Sequence, residues 1–259
     1  LGKRVSLVMI KYMGKSSLGL GYAVAFSDLV LSPFMPSNTA RSAGTIYPVA
    51  SNIPLIFDST PEHEPRKLGA YISWVAIATT CVTSSMFLTA LAPNLLAVDL
   101  INKGTGHMIS WGAWASIMLP LMIPLFLLTP WLVYVVYPPT QKTSPEAPAW
   151  AAEELKKLGG ITSKELLMAG LAVVALALWI FSKDFGIDST TTAISIVSIM
   201  VLANVITWDD VISNKAAFNV LIWFASLVAM AAGLKKVGVL DWIGSSTEVY
   251  LSGMSPTML

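Results

Sequence analysis

Apolar residues run through this chain in long stretches, without the regular polar interruptions of a surface helix or the strict alternation of a half-buried strand. These stretches cover residues 18–31, 40–57, 68–101, 109–137, 165–181, 186–207 and 220–234. Several approach the about 20 residues that carry a helix across a bilayer. The first arm does not: at about 1.5 Å per residue it reaches roughly 21 Å into a hydrocarbon core about 30 Å thick. Between it and the second arm lies "SPFMPSNTA", where Pro33 and Pro36 lack an N–H and disfavour continued helix. The pattern predicts a re-entrant helical hairpin over 18–57 that leaves by the side it entered. The 68–101 run is too long for one crossing and is interrupted at "TALAPN", so Pro93 and Asn94 mark a discontinuous helix, with a simple proline kink as the alternative.

Around these elements, residues 1–17 place Lys3, Arg4, Lys11 and Lys15 about a short apolar stripe, which predicts an amphipathic helix lying in the interface. Residues 68–137 hold the broken helix and a further crossing with an aromatic belt of Trp111, Trp114, Trp131, Tyr134 and Tyr137. Residues 138–164 form a hydrophilic linker containing a short surface helix, with Glu153 four residues before Lys157. Residues 165–259 begin a second set of crossings, within which Asp209 and Asp210 read as interfacial or loop charges.

Composition fits a bilayer: of 259 residues 55% are hydrophobic and only 12% charged, with a mean hydropathy of +0.69. The net charge of +1 gives no sign of a nucleic-acid partner, and the single cysteine, Cys81, excludes a disulfide framework within the chain and reads as a small packing residue. His63 and His107 belong to no metal-ligand pattern, and there is no Gly-Lys phosphate loop. No cofactor, metal or enzymatic chemistry is expected, and no ATP-driven pump. The chain begins at Leu1 without a signal-peptide pattern and reads as a piece of a longer or processed protein. With the hairpin open to the cytoplasm, that side holds Lys3, Arg4, Lys11, Lys15, Arg66, Lys67, Lys142, Lys156, Lys157, Lys164 and Lys215, and the other only Lys103, Lys183, Lys235 and Lys236. The asymmetry favours this orientation.

Candidate chemistry gathers at the two breaks. Irregular backbone at membrane depth is tolerated where protein surrounds it or where it lines a wet cavity. Ser37, Asn38 and Thr39 are N-cap residue types, and the helix start they precede offers free N–H donors to an anion, or is merely capped by them. Arg41 sits in the first turn, where the helix dipole disfavours a cation, and it requires an anion nearby. Asp28 as an ion-pair partner is one answer. A bound carboxylate gripped by the guanidinium fork is the sharper one. Thr79, Thr80, Thr83, Ser84 and Ser85 read as helix-packing residues. A channel or a non-transporting membrane subunit remains the reading from another class, although a channel calls for a continuous polar stripe.

The interfacial start, "SNTARSAGTIYP", "FLTALAPNLL", "PWLVYVVYPPTQKTSPEAP" and "ITWDDVISNKAAFNVLIWFASLVAMAAGL" together resemble the divalent anion/sodium symporter family, in particular its exchanger branch of 2-oxoglutarate/malate translocators and citrate/succinate or tartrate/succinate antiporters. The resemblance implies an all-α inverted-repeat elevator transporter for di- and tricarboxylates, with a moving transport domain and a scaffold forming a homodimer. It implies a bacterial inner membrane or, less in keeping, a plastid envelope. Ser37, Asn38 and Thr39 match the family's first Ser-Asn-Thr motif, and Pro93-Asn94 its broken helix. A second such motif is absent, since "SNI" at 51 and "SNK" at 213 do not match, and half of the substrate site is expected beyond Leu259. Sodium-coupled relatives carry a small hydroxyl residue and a glycine-threonine pair where this chain has Pro33 and Ala90-Leu91. Arg41 is therefore expected to replace the ion as a fixed countercharge, giving sodium-independent antiport, with sodium-coupled symport as the alternative.

Overall fold

The computed structural model describes residues 1–187 and 189–251. Asp188 and residues 252–259, both within the stretch read as a second set of crossings, lie outside the described residues, as do the side chains of Lys103 and Lys183. Every regular element among the described residues is helical, and their one β-type contact is an isolated antiparallel bridge between Ser16 and Thr143. Four helical stretches are long and apolar enough to cross a membrane, among them Ser17–Phe34, although the first arm is expected from sequence to fall short because the expectation stops it at Leu31, before the turn that extends it.

Helix α1 (Gly2–Met13) turns into α2 (Ser17–Leu31), whose first turn is capped by the Ser16 hydroxyl accepting from the Gly19 N–H at 3.1 Å. A tight 3₁₀ turn at Ser32–Phe34, with Pro33 inside it, ends the arm. The chain resumes as a π-helix over Thr39–Ile46 and continues as α3 (Tyr47–Ala50) and α4 (Asn52–Ile56). The second arm is thus three pieces rather than one regular helix. Pro48 has no N–H for the carbonyl one turn back, and the neighbouring Tyr47 N–H reaches five residues back to Ser42 O, which widens the turn.

Helix α5 (Gly69–Met86) stops at Phe87, and a 3₁₀ turn at Leu88–Ala90 leads through extended Leu91 into α6 (Ala92–Thr105), with Pro93 in its first turn. The interruption is complete, because a kinked helix would not hold extended backbone at both Phe87 and Leu91. Helix α7 (Trp111–Val136) stays continuous through Pro120, Pro124 and Pro130. After it come α8 (Glu146–Lys157), α9 (Ser163–Ile180), the short α10 (Ser182–Phe185) and α11 (Ser189–Leu202). These elements form one compact unit, and a second begins at Ile206.

The second unit contains α12 (Trp208–Ile212), α13 (Lys215–Lys236) and α14 (Val239–Leu251). Helix α13 is longer than the apolar run 220–234, because Asn214 caps it by accepting from the Ala217 N–H at 3.2 Å, and Lys235 and Lys236 occupy its last turn. Asp210 closes a capping box with Thr207; the two hydrogen bonds from Thr207 hold its carboxyl below the usual range.

In the first unit, Leu7, Ile10, Leu20, Val24, Tyr71 and Val75 form the main core, and α8 presses Ala147 and Ala151 into it. A second cluster joins Leu88, Trp111, Ala175, Trp179 and Ile196. The hydrophilic segment before α8 is docked. Its backbone meets the entrance of the hairpin, where the Ser17 N–H donates to Lys142 O at 3.1 Å and the Ser144 N–H to Lys15 O at 3.0 Å. It also meets the exit, where Thr140 and Gln141 N–H groups donate to Arg66 O and Lys67 O at 3.2 and 3.1 Å. Both ends of the hairpin therefore lie at the same end of the helix bundle. Helix α8 runs back along α1, and Glu154 pairs with Lys3 at 3.5 Å and with Lys157 at 2.6 Å, so the partner of Lys157 is Glu154 rather than Glu153.

Helices α2, α5 and α7 are joined at Tyr71, which is fully buried and donates its hydroxyl to Pro130 O at 3.1 Å while crossing directly over Gly21. A Cβ at Gly21 would overlap that hydroxyl. Gly21→Ala should therefore cost about 1–3 kcal/mol by overpacking, read as a lower unfolding temperature of the detergent-solubilised full-length protein, with partial recovery when Tyr71→Phe is added. An unchanged unfolding temperature in the single variant would contradict this packing.

Candidate functional site

The two breaks in the first unit meet. The Thr89 hydroxyl donates to Pro33 O at 2.7 Å, the Ala92 N–H donates to Pro36 O at 3.3 Å, and Trp111 holds Thr89 from behind through an Nε1–H bond of 3.2 Å. Backbone groups that the prolines and the interrupted helix left unpaired thus satisfy one another across the junction.

Arg41 lies at the centre of this junction with none of its surface exposed, beside Asp28 at 2%. Its Nε–H points at the carboxylate, 3.1 Å from both oxygens. Nη1 donates to Met35 O at 2.8 Å and Ala90 O at 3.0 Å; Nη2 donates to Asn38 Oδ1 at 3.0 Å and reaches Thr80 and Thr83 Oγ1 at 3.2 and 3.3 Å. Thr83 in turn donates to Asp28. All five N–H groups of the guanidinium have acceptors inside the protein. Of the two partners considered from sequence, Asp28 is the one in contact, and no donor of Arg41 is left over for an external carboxylate. The burial cost of a cation at a helix start is offset by a salt bridge within the hairpin.

Thr80 and Thr83 belong to this network, a role their reading as packing residues missed. Their signal was spacing: Thr79, Thr80 and Thr83 fall on one face of α5 by the helical period, and that face looks at the hairpin. Thr79 is fully buried too, and its hydroxyl has no partner among the described residues.

At the tip itself, the Ser37 hydroxyl accepts from the Ala40 N–H at 3.3 Å, so Ser37 is the side-chain cap of the second arm. Asn38 turns its oxygen to Arg41, which leaves its amide N–H groups directed elsewhere. Among the described residues the backbone N–H groups of Asn38 and Thr39 have no acceptor, and Thr39 and Pro93 are exposed. Asn94 differs from expectation: its amide donates to Ser84 O at 2.7 Å and Phe87 O at 3.2 Å and so replaces the backbone donors that α5 lacks at its end. It holds the break open and has no free donor. No group of three His, Cys, Asp or Glu that could hold a metal ion occurs among the described residues.

Arg41→Ala strands the Asp28 carboxylate in a buried site and should cost about 3–5 kcal/mol of stability. The pair Arg41→Ala with Asp28→Asn removes the stranded charge and should unfold at a higher temperature than the single variant. A double variant no more stable than Arg41→Ala would mean that Arg41 serves another anion.

Comparison with known proteins places these features in context. A family model described as the sodium:sulfate symporter transmembrane region matches residues 1–259. The L-tartrate/succinate antiporters of Escherichia coli (strain K12), Shigella sonnei (strain Ss046) and Shigella flexneri are each 48% identical over 260 aligned positions, covering 100% of this chain and 53% of theirs. The chain thus spans about half the length of these curated relatives. With the family model matching from end to end, the chain belongs to the sodium:sulfate symporter family.

Proposed function

We propose that the full-length protein is a secondary transporter that exchanges one di- or tricarboxylate for another across a bacterial inner membrane. Tartrate and succinate are the first substrates to test, because relatives 48% identical over the whole chain are L-tartrate/succinate antiporters; 2-oxoglutarate, malate and citrate follow. The observation that carries the reading is the pair of chain breaks bonded to each other, with the N–H groups of Asn38 and Thr39 and the Thr39 hydroxyl unspent at the tip. Free N–H donors at the start of a helix suit a carboxylate. In this reading Ser37, Asn38 and Thr39 form half of the substrate site with the Pro93 edge of the broken helix. Asn94 and Arg41 act as positioning residues, and the other half of the site comes from the rest of the protein.

The case for sodium independence changes form. Arg41 is paired with Asp28 and so is not a free countercharge for the substrate. The guanidinium instead fills a cage of oxygens from Met35, Ala90, Asn38, Thr80 and Thr83. Such a set would otherwise suit a hard cation, and a tethered guanidinium leaves no room for a mobile one. The hairpin, inserted from the cytoplasmic side, travels with α5 as a rigid part of an elevator whose scaffold forms a homodimer. Sodium-coupled symport is the alternative; a channel is disfavoured, because the polarity closes on itself at the junction.

In liposomes preloaded with succinate, uptake of labelled tartrate by the full-length protein should clearly exceed uptake into empty liposomes, as obligatory exchange requires, and should be equal in sodium and potassium buffer. Sodium-dependent uptake into empty liposomes would instead establish symport. The filled cage makes a separate prediction: in Arg41→Ala with Asp28 retained, sodium should raise the unfolding temperature relative to potassium, whereas the wild type should not respond. Equal behaviour of the two proteins would show that the guanidinium does not occupy a cation site.

A further inference from the structure

We infer that one end of the first unit is a binding surface for a phospholipid with an anionic phosphate headgroup. Three segments distant in sequence come together there. The Ser16–Thr143 bridge and the Ser17–Lys142 and Ser144–Lys15 backbone bonds fix the end of α1 beside residues 142–144. The Thr140–Arg66 and Gln141–Lys67 bonds bring the loop before α5 to the same strip. Lys11, Lys15, Arg66 and Lys142 are thereby gathered on one exposed rim.

How these cations are held separates them from their neighbours. Lys3 and Lys157 pair with Glu154, Arg4 with Glu165, and Lys67 with Glu64 at 3.2 Å. Among the described residues Lys11, Lys15, Arg66 and Lys142 have no carboxylate partner, although Asp58 and Glu62 share the loop with Arg66. Arg66 lies over the ring of Tyr137 at 5.1 Å, and Lys142 over that of Tyr134 at 4.6 Å. A ring face fixes a cation in place without cancelling its charge, so two positioned positive charges remain available to a phosphate.

The tyrosines also identify the partner as a lipid. They lie at the end of α7, a helix long and apolar enough to span a bilayer, and Leu132, Val135 and Val136 beside them are 45%, 54% and 79% exposed. Cations above an outward apolar helix face match a headgroup above an acyl chain, whereas an acidic protein would leave those side chains in water. Near a membrane surface each lysine or arginine strengthens anionic-lipid binding by about fivefold. The inference needs only that α7 spans the bilayer and does not depend on the transported substrate.

The test is native mass spectrometry of the full-length protein with phosphatidylglycerol or phosphatidylcholine added. Phosphatidylglycerol should remain bound where phosphatidylcholine does not. Arg66→Gln with Lys142→Gln should lower its affinity by about twenty-five-fold, two steps of the single-charge effect, whereas the control Lys156→Gln, unpaired among the described residues and without a ring beneath it, should leave it unchanged. Tyr137→Leu, which removes the ring and keeps the charges, should weaken binding several-fold. Equal retention of the two lipids, undiminished binding in the double variant, or displacement by millimolar glycerol phosphate would overturn the assignment, the last by showing a site for the soluble anion alone.

Discussion

The ion pair between Arg41 and Asp28 is the constraint on which the rest of the first unit depends. A guanidinium fully withdrawn from water is intolerable unless every donor is met and the charge is balanced. Meeting those needs fixes four pieces of chain at once: α2 through Asp28, the hairpin tip through Met35 and Asn38, α5 through Thr80 and Thr83, and the turn between α5 and α6 through Ala90. None of these pieces could shift alone without exposing a buried charge or a bare carbonyl. The hairpin tip is therefore rigid because of a group that does not itself face outward.

That rigidity bears on how the hairpin could move. Opening the hairpin as a flap would separate Arg41 from α5 and break bonds to a charged group in a low-dielectric setting, where each is worth more than in water. The docked segment 140–144 adds a second restraint by holding both ends of the hairpin together. Displacement of the hairpin, α5, the broken segment and the docked residues 140–144 as one body breaks neither set. Moving these elements together is thus less costly than opening the hairpin alone.

The elements that could be read from sequence were those set by length, hydropathy and proline. The break at Pro33 and Pro36, an interruption of the 68–101 run and the long apolar helix before the hydrophilic segment follow from runs of apolar residues and missing N–H groups, although the interruption falls at 87–91, a little before the expected 89–94, and the first arm is longer than expected. The partners of Arg41 did not, because Asp28, Ala90 and Thr83 stand 13, 49 and 42 residues away and only the folded chain selects among them. Asn94 was recognised as an amide at a break, yet which carbonyls it would meet depended on where α5 ended. The hydrophilic segment looked like a spacer because its polarity hides backbone bonds, which any sequence can make.

The two kinds of polarity in this chain serve different ends. At the junction, polar groups face one another and leave over only a few donors at the hairpin tip; around α1 and α8 they fasten elements outside the apolar layer. Arg4 illustrates the second kind: it forms a two-point pair with Glu165 at 3.2 and 3.1 Å and also donates to Gly159 O and Gly160 O. It therefore fixes the end of α8 and the start of α9 together, at the place where two adjacent glycines would otherwise give the chain most freedom. The same residue type thus does two jobs: Arg41 is sealed within a neutral cage and makes the site stiff, whereas Arg4, partly exposed, closes a glycine joint that solvent can reach. Of the two contacts, the exposed one would separate at the lower cost, since water can solvate both charges as they part. The architecture accordingly concentrates its freedom at the Gly159–Gly160 joint and its rigidity at the junction of the two breaks.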